Sequence, residues 1–301
     1  MPTKITFPYQ ISDGVTQSLL SAWVSCRQYA FYMIRGWESG APKRALQQGS
    51  MMHEALENWH GRGIDRLPTR KWRTKALKKG ANADDIEDDI GIVASLLPGY
   101  IKRYTKKDRK KKFVEVEGLF DVEFESYRLR GRIDGVYELG GKLWILETKT
   151  TSKIEEAALK LYLNFDFQSL FYVTALQEML GRPIAGVLYN LIRKPQIKQG
   201  KLSKKAYWDR VETDTETRPD FYYKRFETRF TRARIKAFQE ELHMKLDLFA
   251  NWIAAGDGRL MFKNEMACRA KWNCRYLQAC GDGNMNGYKK TGKLFSELED
   301  D

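Results

Sequence analysis

Apolar residues recur every three to four positions through residues 16–37, at Leu19, Trp23, Cys26, Ala30 and Met33, and predict one helix there. Gly49 and Ser50 offer a second start with Ser50 as the N-cap, and the stripe Met52, Ala55, Leu56, Trp59 carries that helix to a stop at Gly61. Residues 61–80 read as a basic linker. The clearest helical run follows, with Ile86, Ile90, Val93, Leu97, Tyr100, Ile101 and Tyr104 in phase. The period then changes to two. Residues 113–126 (FVEVEGLFDVEFES) alternate as a half-buried strand pair would, and GRIDGVYEL, Gly140–Gly141 and KLWILETKT read as a hairpin closed by a two-residue turn. A helix is expected from Asp166 to Leu180, stopped by Gly181 and Pro183, then a strand IAGVLYNLIRK, a polar basic excursion over 195–220, and a long helix over roughly 228–254. Strand, strand, helix, strand, flanked by helical arms, predicts a mixed α/β fold of the α+β kind, a mixed sheet with packed helices.

Composition narrows the function classes. The 301 residues are 43% hydrophobic and 30% charged, ordinary globular values that argue against disorder or a fibrous repeat. No apolar run reaches the ~18–20 residues of a membrane span, and MPTKITFPYQ lacks the apolar stretch of a signal peptide. A cytoplasmic protein with no membrane partner is therefore expected. Lys plus Arg is 52 against 39 Asp plus Glu, a formal +13, concentrated in 102–112 and 193–205. Such a field attracts polyanions, nucleic acid first among them. A basic surface that serves solubility alone is the plainer alternative.

Chemistry enters with the hairpin. Glu147 and Lys149 lie two apart on one strand and share a face with Leu143 and Ile145, while Trp144, Leu146 and Thr148 take the other. Asp134 sits on the strand across from them. Two facing carboxylates can hold a hard divalent cation such as Mg²⁺, and a neighbouring lysine can orient the attacking water or the developing charge. Taken alone, Glu147 and Lys149 read as a surface ion pair. They are not alone: Gln168 and Tyr172 share a helix face at i and i+4, and His53 lies on the helix after Ser50.

This ordered set resembles the RecB-like branch of the PD-(D/E)XK nuclease superfamily. The resemblance rests on GSMMHEALE, GRIDG, ILETKT and QSLFY, in order between residues 53 and 172, with Ile133–Asp134 where the signature has Pro-Asp. It implies a restriction-endonuclease-like core in which Asp134, Glu147 and the Thr148 backbone carbonyl bind Mg²⁺ or Mn²⁺, with His53 as a further ligand. It also implies that Lys149 positions water, and that Gln168 and Tyr172 orient Lys149 or the DNA strand. Glu117 is an additional acidic residue nearby, read as an exposed strand position.

Three of the four cysteines cluster as C-x5-C-x5-C at Cys268, Cys274 and Cys280, with Cys26 far upstream. Four thiolates suit a tetrahedral zinc or a 4Fe–4S cluster. One remote cysteine plus a C-terminal trio is similar to the iron–sulfur nucleases of the RecB-like group, the AddB-type subunit and the CRISPR-associated exonucleases, although that group commonly carries two residues in the first gap. The resemblance implies a structural 4Fe–4S cluster on Cys26, Cys268, Cys274 and Cys280, with zinc as the alternative. Arg269, Trp272, Arg275 and Tyr276 either line a path for single-stranded DNA or pack around the cluster.

The chain thus reads as one nuclease domain: a helical arm with His53 (16–112), a catalytic core (113–195), the basic excursion and long helix (196–260), a Cys-rich segment (261–283) and a flexible tail (284–301). The expected activity is metal-dependent hydrolysis of DNA, as an exonuclease on single strands or duplex ends. A non-catalytic DNA-binding or partner subunit that keeps the fold is the alternative. The resemblance places such a chain in a prokaryotic cell or a phage-infected host, with a recombination, replication or CRISPR-type protein as partner. The absence of GxxxxGK[ST] excludes a self-contained helicase–nuclease.

Overall fold

The computed structural model describes residues 4–39, 44–78, 80–269, 274–292, 294, 295 and 298, with the side chains of 44–46 left out. Its N-terminal elements are β1 (Val15–Thr16), α1 (Gln17–Ser25), α2 (Arg27–Ile34), β2 (Trp37–Ser39), α3 (Arg44–Arg62), α4 (Thr69–Lys78) and α5 (Ala83–Asp108). The core follows as β3 (Lys112–Phe124), β4 (Tyr127–Leu139), β5 (Lys142–Thr151), α6 (Glu156–Leu163), α7 (Phe167–Leu180) and β6 (Ile184–Arg193). Next come α8 (Lys204–Thr217), α9 (Pro219–Tyr222), β7 (Tyr223–Thr228) and α10 (Arg232–Ala255), and then α11 (Glu265–Cys268), α12 (Leu277–Asp282) and β8 (Tyr288–Lys290).

The sheet is mixed, in the order β1-β4-β5-β6-β7, with β3 on the other edge of β4. β5 runs parallel to β6, as the crossover through α6 and α7 requires, and β4 runs antiparallel to β5 across the Gly140–Gly141 turn. Both turn glycines have positive φ, 58° and 73°, which the tight hairpin demands. One face of the sheet carries α7, α1 and α10, buried through Phe171, Leu20, Leu246 and Phe249. A second apolar cluster joins α3, α4, α5 and α8 through Met52, Trp72, Val93, Leu97 and Val211, reaching the sheet at Ile192 and Tyr223. No helix is long and apolar enough to cross a membrane.

Several expectations change. The helix over 16–37 is broken at Cys26, whose backbone is extended (φ −162°, ψ 121°) between α1 and α2. Ser50 is no cap, because α3 begins six residues earlier, and Gly61 lies inside its last turn. Apolar Trp72 and Ala76 turn part of the basic linker into α4, packed on α5. Residues 113–124 belong to one strand, β3, paired with β4 instead of with each other, and 125–126 are the turn between the two. The basic excursion contains α8, whose Trp208 lies so close to Gly91 that a Cβ there would sit 2.0 Å from the indole. Residues 284–301 supply β8, which pairs with β2.

A buried polar network anchors α5 to the sheet. Arg225 of β7 donates to both carboxylate oxygens of Asp108, at 2.6 and 2.8 Å, and to the Tyr100 hydroxyl at 2.6 Å. Lys111 adds a contact to Asp108 at 2.8 Å. Burial opposes the charge on Asp108, but Arg225 and Lys111 hold its pKa down to about 2. Asp108→Asn is expected to cost about 3–5 kcal/mol by leaving a buried guanidinium without its counter-ion. The native carboxylate's contribution is fully present above the ordinary Asp pKa and is lost as pH falls through about 2. Urea midpoints measured from pH 7 downward check both, and equal midpoints for variant and parent at neutral pH would refute the assignment.

Candidate active site

The site lies where β4 and β5 part. Their ladder ends at Gly135↔Leu146, and one residue beyond it the Asp134 carboxylate accepts a hydrogen bond from the Thr148 backbone N–H. The side chain thereby takes up a donor at the point where the ladder stops. Across the opposite edge, Val116 faces Gly135 and Gly118 faces Ile133, so Glu117 stands opposite Asp134. A register shift between Phe113 and Glu115 precedes it. Glu117 itself has φ +49°, a left-handed conformation costing roughly 1–2 kcal/mol for a non-glycine residue. α3 closes the pocket from above with His53.

His53, Glu117 and Asp134 form a compact trio whose ligand atoms all lie within 4.8 Å of one another. His53 Nδ1 is 3.2 Å from Asp134 and 3.9 Å from Glu117. Leu56, Glu57, His60, Leu146 and Thr148 complete the pocket lining. Glu117 is thus not the exposed strand residue that its alternating context suggests. The strained backbone turns it inward, and a backbone torsion leaves no mark in a polar–apolar pattern.

Glu147 and Lys149 take the neighbouring position on β5. Glu147 is buried and its carboxylate meets the Lys149 ammonium. Lys149 also donates to Gln168 Oε1 at 2.9 Å, and Gln168 donates to the Tyr172 hydroxyl at 3.1 Å. The chain of contacts from β5 to α7 is therefore complete. Asp166 caps α7 by accepting from Ser169 N at 2.9 Å and from its hydroxyl at 2.7 Å, and it also accepts from the Tyr189 hydroxyl. This fixes the first turn of α7, on which Gln168 sits.

The electrostatics favour an added cation. Burial pushes the Glu117 carboxyl up to about 8, aided by the Asp134 charge. Burial raises Glu147 to about 7 despite Lys149. Burial works against Asp134 as well, but His53 and the Thr148 N–H hold it below its ordinary value. His53, though burial disfavours its charge, is lifted to about 9 by Asp134. Three carboxyls thus compete for one imidazolium and one ammonium. Hard oxygen donors with one imidazole suit Mg²⁺ or Mn²⁺.

Thr148 is held from behind. Asn190 of β6 donates to the Thr148 hydroxyl at 3.2 Å and to Tyr100 at 2.9 Å, and Arg225 donates to Asn190 Oδ1 at 3.1 Å. The Asp108–Arg225 network therefore ends directly behind the residue whose N–H orients Asp134. Sequence reasoning missed Asn190, Tyr100 and Arg225, since each lies on an element paired with the site only in three dimensions.

The four thiols assemble elsewhere, between the α1–α2 break and the C-terminal helices. All are half-buried and none forms a disulfide. Cys26, Cys268, Cys274 and Cys280 are close enough for their charges to interact: burial first, then the other thiols, raises Cys274 and Cys280. Yet among the described residues no three of them come within 4.8 Å of one another. Tyr276 is fully buried and packs on Tyr29, Tyr32 and Tyr288, so it serves packing; Trp272 lies outside the described residues.

Residues 15–281 match the PD-(D/E)XK nuclease superfamily. The chain belongs to that superfamily. Its mixed sheet with flanking helices is the superfamily's core, and its members are metal-dependent nucleases, phosphodiester hydrolases that act on DNA. No curated protein matches the chain. Among solved structures it is distantly similar to SSO0001, at 14% identity and TM-score 0.29 over 67% of this chain and 87% of that one. It is also similar to VC1899 from Vibrio cholerae, at 11% identity and TM-score 0.19 over 75% of this chain and 60% of that one.

For this PD-(D/E)XK chain, Mn²⁺ is expected to raise Tm. At 100-fold excess over Kd the gain is about 2.7 kcal/mol, or roughly 4 °C for a domain of this size. Glu117→Gln should lose most of that shift, read by calorimetry with and without the ion. An undiminished shift in the variant would remove Glu117 from the site.

Proposed function

We propose that this superfamily member is a RecB-like DNA exonuclease that acts on single strands or duplex ends and carries a structural 4Fe–4S cluster. The observation that carries the nuclease reading is the Lys149 ammonium, held between Glu147 and Gln168 beside a pocket with an excess of carboxylates. His53, Glu117 and Asp134 would hold the divalent ion, with Glu147 and the Thr148 carbonyl as the remaining ligands that the family resemblance implies. That ion, when bound, polarises the phosphodiester and acidifies a water.

The chain's own residues do the rest. Lys149 brings a fixed positive charge to the place where negative charge develops on the phosphate, and Gln168 and Tyr172 restrict its rotamers so that the charge is in place before substrate arrives. Asp134 is aimed by the Thr148 N–H, so its orientation is set by the backbone instead of a flexible partner. Net basicity draws the polyanion to the molecule.

Asp134→Ala, Glu147→Ala and Lys149→Ala should each lower cleavage of end-labelled DNA by at least about 100-fold with the circular dichroism spectrum unchanged. Gln168→Ala should cost less, since it leaves the ammonium present but loosely held. Full activity in any of the first three would overturn the assignment.

The gathering of the four half-buried thiols around the α1–α2 break is the feature that supports the cluster. Four thiolates suit a 4Fe–4S cluster or a tetrahedral zinc. Protein purified without oxygen is expected to carry iron and sulfide in equal amounts and a broad visible absorption, both lost in Cys280→Ser. Colourless protein with stoichiometric zinc would replace the cluster by a zinc site and leave the nuclease reading intact.

A further inference from the structure

The segment between β5 and α7 presents three large apolar side chains to solvent. Leu161, Tyr162 and Phe165 are 72%, 62% and 69% exposed, although Leu159 and Leu163 on the opposite side of α6 pack into the core. A core-packed helix that exposes Leu161 and Tyr162 on its outer face, with Phe165 exposed just past its end, calls for an occupant. Phe165 N donates to Tyr162 O at 2.9 Å, which places both rings on a single turn. Asp166, next in the chain, caps α7, and Gln168 two residues later holds Lys149. The ring of Phe165 thus lies three residues before the glutamine that holds the lysine of the active site.

Cations border the ledge. Arg234, which also pairs with Glu241 at 3.4 Å, lies 5.6 Å from the Phe165 ring centroid, and the Lys160 ammonium is 5.5 Å from that of Phe226. The nearby acids are already engaged, Glu156 by Lys224 at 2.8 Å and Glu155 by Lys153. Across the same end of the sheet, the loop after β6 is tied to the loop after β5 by Lys194 N to Thr151 O at 2.8 Å and Gln196 Nε2 to Ser152 O at 3.2 Å. That loop presents exposed Lys198 and Lys201. Basic groups and exposed rings at one end of β5 are the two components of a surface that tracks a backbone and stacks unpaired bases.

We propose that Tyr162 and Phe165 form a stacking ledge for unpaired bases, so that a single strand or a frayed end crosses the C-terminal end of β5 between the α6 ledge and the basic loop. This deepens the nuclease reading and rests on it: a paired duplex offers no free base faces to the ledge, so unpaired strand is the form that engages it beside Lys149. Stacking is sequence-tolerant because every base has a π-face.

The test is the anisotropy of fluorescein-labelled oligothymidylate and of a blunt duplex, in EDTA so that no cleavage occurs, for the full chain and its variants. Removal of one ring is expected to weaken single-strand binding roughly 5- to 150-fold. Tyr162→Ala with Phe165→Ala should weaken it further, with duplex affinity and salt dependence unchanged, and Tyr162→Phe should retain the parent's affinity. A double variant that binds oligothymidylate as the parent does would overturn the ledge. So would an equal loss on both substrates, or a parent that self-associates through α6 and dissociates on substitution with no change in oligothymidylate affinity. If the ring variants lose single-strand affinity while the parent cuts no DNA with Mg²⁺ or Mn²⁺, the ledge stands and the nuclease reading falls. A parent that binds neither substrate overturns both.

Discussion

The hydrogen bond from the Thr148 N–H to the Asp134 carboxylate is the hinge on which the site depends. A sheet that continued its ladder past Gly135↔Leu146 would leave no opening between β4 and β5. By capping that N–H with a side chain, the fold parts two strands without abandoning a buried donor, which would otherwise cost about 1–3 kcal/mol. The carboxylate is then fixed at the mouth of the opening, where His53 and Glu117 meet it. One contact thus ends a strand pair and aims a carboxylate.

Everything behind that bond keeps it in place. Asn190 steadies the Thr148 side chain, Tyr100 and Arg225 hold Asn190, and Asp108 neutralises Arg225. The network runs from α5 through β7 and β6 to β5, so the helical layer and the sheet share one set of polar contacts beneath the pocket. A buried charge pair of this kind contributes little net stability when intact. Its effect is geometric: it leaves β5 and α5 one relative position.

The sequence was most informative where chemistry forces residue types into a short segment. The hairpin, its Gly140–Gly141 turn, Glu147 with Lys149, and Gln168 with Tyr172 were legible because each is set by local periodicity. Glu117 was not, because its inward turn comes from a positive φ that alternation cannot encode. The break at Cys26 was hidden for a related reason: Leu19 through Met33 stay in helical phase across it, and the interruption is set by residues some 240 positions later, including the contact of Asn264 Nδ2 with Ser25 O at 2.7 Å. α4 went unseen because Trp72 and Ala76 are too few among basic neighbours to outweigh a linker composition.

The joining of the two ends has a consequence in time. β2 pairs with β8, Tyr276 donates to Trp37 O at 2.6 Å, and Asn264 seals the α1–α2 break. During synthesis α1 finds its partners once α7 and α10 have been made, but the α1–α2 break and β2 wait for the last segment. The central sheet, with its nearer contacts, has no such delay. A chain that stopped after α10 would therefore hold a formed pocket and a packed α1, with β2 left as an unpaired edge.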